Sequence, residues 1–107
     1  FILLALLLAP QLPFGAHRAN ASEGDDISHW QKVSKAATAA FHEGRTQQAD
    51  ALFRQALQLA RKSGKKDLIG NSLCNLATAV YERGRIEESI SLCRQAISLL
   101  EKEPTLK

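Results

Sequence analysis

The sequence predicts an all-α fold of antiparallel helical hairpins stacked side by side, and three observations lead there. Sliding the chain past itself by 40 residues aligns Trp30–Lys62 with Gly70–Lys102 without a gap, giving 11 identities in 33 positions, where typical residue frequencies give about two or three. A period of that size is the mark of stacked structural units. Apolar residues within each unit recur at three- and four-residue intervals, the spacing of a helix with one buried face. Gly44 and Gly84 each follow a first apolar stripe, where a left-handed backbone is free for glycine and a helix stops.

The chain opens with a segment of a different kind. Phe1 to Ala21 holds no acidic residue, and its apolar run from Phe1 to Ala9 has the length of a signal-peptide core. A membrane span needs roughly 20 apolar residues, and Pro10, Gln11 and Pro13 interrupt this one early. Ala19-Asn20-Ala21 places small residues where a signal peptidase reads them, so residues 1–21 are expected to be an export signal cleaved before Ser22. The basic stretch that normally precedes such a core is missing and the chain has no Met, which implies a true start upstream. Residues 22–29 then lead into the first helix.

The first unit, residues 30–63, carries Trp30, Val33, Ala37, Ala40 and Phe41 on one stripe. After Gly44 the pattern restarts with Ala49, Leu52, Phe53, Ala56, Leu57 and Ala60. The second unit, residues 64–102, repeats this with Ile69, Leu73, Leu76, Ala77 and Val80, then Ile86, Ile90, Cys93, Ala96, Ile97 and Leu100. Connections this short make the paired helices antiparallel neighbours, and the alanines let their axes approach closely. Between the units, Arg61-Lys62-Ser63-Gly64-Lys65-Lys66 reads as a solvated loop whose first two cations suit a helix C-terminus, with Asp67 as the expected N-cap of the next helix. Residues 103–107 form a short tail, and Pro104 argues against further helix.

Length and composition bound what such a chain can do. At 107 residues, 45% of them hydrophobic and 23% charged, it has room for one ordinary globular domain. A net charge of +3 cannot make the concentrated basic stripe that a nucleic-acid surface needs, so no nucleic-acid partner is expected.

At these residues the chain resembles the tetratricopeptide repeat (TPR) family. Trp30, Val33, Ala37, Ala40, Gly44, Ala49, Phe53 and Ala56 match the first copy of its pattern, and Leu73, Leu76, Ala77, Val80, Gly84, Cys93 and Ala96 the second. The long period, with Asn75-Leu76-Ala77 and Leu92-Cys93-Arg94-Gln95-Ala96, is similar to the repeats of kinesin light chains and their bacterial relatives. Ala37 and Ala77 stand where the family often has Gly, and Ser89 where it has Ala. The resemblance implies a short α-solenoid whose first helices line a groove holding a peptide or helix of a partner protein. Carried over residue by residue, the groove positions are Gln31, Ser34, Lys35, Thr38, Phe41 and His42 in the first copy, and Cys74, Asn75, Thr78, Tyr81 and Glu82 in the second. Asn75 stands where the family uses an amide to bond a peptide main chain, although a helix-surface Asn without a ligand fits the same position. Ser34 and Thr38 replace the Lys and Asn of the family's carboxylate clamp, so that clamp is expected to be absent.

No catalytic constellation is legible. His29 and His42 stand at opposite ends of one helix and have no Cys, His or Asp ligand at i+3 or i+4. Ser72, Ser89 and Ser91 lack a nucleophile-elbow setting, and Gly64 and Gly70 are isolated rather than part of a phosphate loop. Neither a cofactor nor a metal is expected. Cys93 takes the place of Phe53 and is expected in the core, Cys74 on the groove side, and both as free thiols.

Two readings of function remain: an exported protein-interaction module, or a structural repeat segment that self-associates and binds nothing in its groove. The last helix bears more apolar residues than one neighbour covers. Ile90, Leu92, Leu99 and Leu100 are therefore expected at a self-association surface, giving a homo-oligomer or a stack that further repeats would complete. After cleavage of the signal no membrane contact is expected.

Overall fold

In the computed structural model the described residues are 14–101 for the backbone and 24–101 for the side chains. They form four helices, α1 (Phe14–His42), α2 (Thr46–Ser63), α3 (Lys66–Glu82) and α4 (Ile86–Glu101). Each helix packs chiefly on its neighbours in sequence, α1 on α2, α2 on α3 and α3 on α4, which makes two antiparallel hairpins laid against each other. This is an all-α solenoid of the TPR kind. Residues 1–13 and 102–107 lie outside the described residues, and with them most of the expected signal segment and the tail. The expected cleavage point after Ala21 falls within α1, which begins at Phe14.

Both hairpin turns have the same construction, 40 residues apart. At the end of α1 the Gly44 N–H bonds the Phe41 carbonyl at 3.1 Å and the Arg45 N–H reaches back to Ala40 at 2.9 Å; at the end of α3, Gly84 bonds Tyr81 and Arg85 bonds Val80, both at 2.9 Å. This double bond pattern closes a helix through a left-handed residue, and the φ of +82° at both glycines supplies it. Gly64 ends α2 in the left-handed region as well. The N-cap of α3 is Lys65, with no side-chain cap bond, so Asp67 sits inside the first turn instead. There its charge complements the helix dipole.

Small residues decide how closely the helices approach. Ala37, Ala40, Ala49, Ala56, Ala60, Ala77, Ala79 and Ala96 are buried, and Phe53, Leu73, Leu76, Val80 and Leu92 fill the space between them. Full burial of a side chain such as Leu73 or Leu76 contributes about 1.5–3 kcal/mol.

In α4 the sequence expectation and the structure part at Cys93 and Leu92. Ile86, Ile90, Ile97 and Leu100 are exposed, and Cys93, expected in the core, is an exposed free thiol like Cys74. Leu92, expected at an outward surface, is buried, and Leu99 is half-buried. The reason is position in the stack. Phe53 is covered because the second hairpin lies over α2, whereas among the described residues nothing lies over the equivalent face of α4.

Polar contacts fasten one hairpin to the other. The Trp30 indole N–H donates to the Ser72 hydroxyl at 2.7 Å. Asp50, 3% exposed on α2, accepts from Arg54 Nε at 2.5 Å through Oδ1, and from Arg83 at 2.8 Å and Arg85 at 3.3 Å through Oδ2. Glu88 on α4 closes the cluster, 2.8 Å from Arg54 and 3.0 Å from Arg85. The bond to Asp50 is the main cause that raises the Arg54 guanidinium above its ordinary pKa, against the opposing effect of burial. Ser89 donates to the Ala77 carbonyl at 2.9 Å between α3 and α4. Among the described residues no buried side-chain nitrogen or oxygen lacks a partner, as folded interiors require.

Candidate peptide-binding groove

The first helices of the two hairpins, α1 and α3, flank a shallow trough because α2 and α4 stand behind them. Gln31, Ser34, Lys35 and Thr38 from α1, with Trp30, face Asn71 and Asn75 from α3 across an open depression of about 590 Å³. A smaller depression of about 180 Å³ adjoins it, lined by Thr38, Phe41, His42, Phe53, Asn75 and Thr78. Thr38 and Asn75 belong to both, so the two form one continuous channel. Eight of the eleven groove positions drawn from the sequence line it. Tyr81 and Glu82 are exposed on α3 and line neither depression. Cys74 lines a separate recess between α3 and α4.

Helical periodicity fixes these side chains in register. Ser34 and Thr38 are one turn apart, as are Cys74 and Thr78, and the two threonines behave alike. Thr38 donates its hydroxyl to the Ser34 carbonyl at 3.0 Å, and Thr78 to the Cys74 carbonyl at 3.1 Å. This back-bonding consumes the hydroxyl proton within the helix and leaves the oxygen as an acceptor. Asn75 Nδ2 donates to the Asn71 side-chain Oδ1 at 2.9 Å, which orients its amide along the channel. An amide carries two donors and an acceptor, so the Asn75 carbonyl oxygen and its second N–H remain for a ligand. The Phe41 and His42 rings meet edge to face with centroids 5.9 Å apart, and Phe41 gives the smaller depression an apolar wall.

The channel carries little charge: among the described residues Lys35 and His42 are the only ionisable side chains lining it. Among the described residues no three His, Cys, Asp or Glu side chains gather as a metal site would need, and no helix is long and apolar enough to cross a membrane. Sequence reading missed Asn71, which orients Asn75, and Ser72, which anchors Trp30 beside the channel. Their signal was present: Asn71 precedes Asn75 by one helical turn, and Ser72 is a small polar residue on the buried side of α3.

Comparison with known proteins agrees with this architecture. The family model for the tetratricopeptide repeat matches residues 32–102, which runs from the C-terminal part of α1 through α4 and takes in every residue of the channel except Trp30 and Gln31. The comparisons with curated proteins and with solved structures return no match. Repeats of this kind build scaffolds for protein–protein interaction. With two hairpins in tandem, a shared glycine turn and a match over most of its length, the chain belongs to the tetratricopeptide repeat family.

Proposed function

We propose that this chain is an exported, non-catalytic interaction module that holds an extended peptide or a helix of a partner protein in the channel between α1 and α3. The observation that carries this reading is the convergence of Gln31, Ser34, Lys35, Thr38 and Asn75 on one open, weakly charged concavity. Such a surface suits main-chain recognition, with the Asn75 amide bonding the ligand backbone and the Phe41 ring taking an apolar side chain. Low charge in the channel favours a ligand read by hydrogen bonds and shape over one read by charge.

Asn75→Ala tests it against a captured partner segment. Loss of the amide is expected to weaken binding by about 1–2 kcal/mol, the cost of an unmade hydrogen bond in a partly buried site. An unchanged affinity places the partner elsewhere on the molecule. Export rests on the apolar run from Phe1 to Ala9 and on Ala19-Asn20-Ala21. Mass spectrometry of the exported product is expected to read Ser22 as the first residue, and a retained, uncleaved amino terminus would refute it.

A further inference from the structure

On α4, Ile86, Ile90, Cys93, Ile97 and Leu100 are all exposed, and they recur at spacings of four, three, four and three. That is the spacing of a two-helix coiled-coil seam. Shifted back by 40 residues, the same positions on α2 are Thr46, Asp50, Phe53, Leu57 and Ala60, where Asp50, Phe53 and Ala60 are buried beneath the second hairpin. The α4 seam is thus the face that a helix covers in the preceding unit. Its chemistry differs at one place. Asp50, which binds Arg83 and Arg85 of the hairpin covering it, is replaced by Ile90, so the α4 seam is apolar throughout and offers such arginines no carboxylate.

A charged row runs beside the seam. On α2 the corresponding row reaches across to the next unit, Arg54 to Glu88 and Arg61 to Gln95. On α4 it reads Glu87, Arg94 and Glu101, all exposed. We propose that the α4 seam is covered by α4 of a second copy of this chain, in an antiparallel two-fold arrangement. The register that sets Ile86 against the partner subunit's Ile97, and Ile90 against the partner subunit's Cys93, also places Glu87 beside the partner subunit's Arg94, twice by symmetry. Sliding by one heptad brings Glu87 against the partner subunit's Glu101 and Arg94 against its own symmetry mate, which like-charge repulsion disfavours. Parallel pairing would align the helix dipoles unfavourably and face the charged row onto Ser89 and Ala96, both buried against α3.

A recess of about 410 Å³ supports the same contact. It lies between α3 and α4, with Gly70, Cys74, Ala96 and Leu100 on its walls. Gly70 is the 40-residue equivalent of Trp30, whose indole is tied to Ser72 of the next unit, so the recess marks where a bulky side chain is missing. In the proposed register the partner subunit's Ile86 comes to its mouth.

Sedimentation equilibrium of the full chain over a wide concentration range tests this, with circular dichroism confirming that each variant stays helical. A reversible dimer is expected. Glu87→Arg alone or Arg94→Glu alone is expected to weaken it at least about tenfold, and the double variant to recover most of the loss. Ile97→Glu, at a side chain already 54% exposed, is expected to give a folded monomer. A wild-type monomer at every concentration, association indifferent to Ile97→Glu, or a double reversal no stronger than the single ones would each overturn the proposal. None of these residues lines the channel between α1 and α3, so peptide binding and dimerisation fail separately.

Discussion

Trp30 on α1 donates its indole N–H to the Ser72 hydroxyl on α3 at 2.7 Å, a direct bond between residues 42 positions apart in successive hairpins. Ser72 is 1% exposed, so beneath an aromatic ring its oxygen has no access to water. Trp30→Phe keeps most of the apolar area and deletes the donor. Chemical denaturation is expected to show a loss of about 1–2 kcal/mol. Ser72→Ala in the same background is expected to recover part of it, because no buried polar group is then left unmet.

Asp50 is the one buried carboxylate among the described residues, and it holds three arginines. Asp50→Ala is expected to cost about 2 kcal/mol, below the 3–5 kcal/mol of a fully buried pair, because its arginine partners keep contact with water. Arg85→Ala, whose side chain is 48% exposed, is expected to cost less than about 1 kcal/mol. Denaturation midpoints in urea rank the two, and equal losses would show that the cluster is not centred on Asp50.

Glycines at two kinds of position are expected to respond in opposite directions to alanine. Gly44 has φ +82°, a conformation that costs an L-residue about 1–2 kcal/mol, so Gly44→Ala lowers stability although nothing crowds its Cβ. Gly70 lies inside α3 with open space where a Cβ would stand, and Gly70→Ala is expected to raise stability by about 0.5–1 kcal/mol. Thermal melts of the two variants give the signs directly.

The turn glycines and the alanine-lined packing were legible in the sequence because both follow from period and from the conformational freedom of one residue type. The groove positions came from the resemblance to the repeat family, and the structure sets Asn75 at the centre of the channel and Cys74, Tyr81 and Glu82 outside it. Periodicity says which residues share a face of α4. It does not say whether another helix covers that face, and so Cys93 was expected inside and Leu92 outside. Asp50 was illegible for another reason: a charged residue within an apolar stripe reads as surface, and its burial depends on Arg83 and Arg85, which come from the turn of the next unit. A carboxylate at a stripe position with an arginine one turn on, as Asp50 and Arg54 stand, is the pattern that would have flagged it.

Packing chiefly between sequence neighbours, α1 on α2, α2 on α3, α3 on α4, also governs how this chain reaches its structure. Contacts that are close along the chain need little loop closure before they form, so assembly belongs to the fast, microsecond-to-millisecond regime of low contact order. Among the described residues α1 and α4 each pack on a helix on one side only, so in the undimerised chain they open first while α2 and α3 hold. Amide hydrogen exchange along the chain would then trace a gradient, slowest at the middle of the stack, with Trp30 and Asp50 marking the seam at which the two hairpins separate.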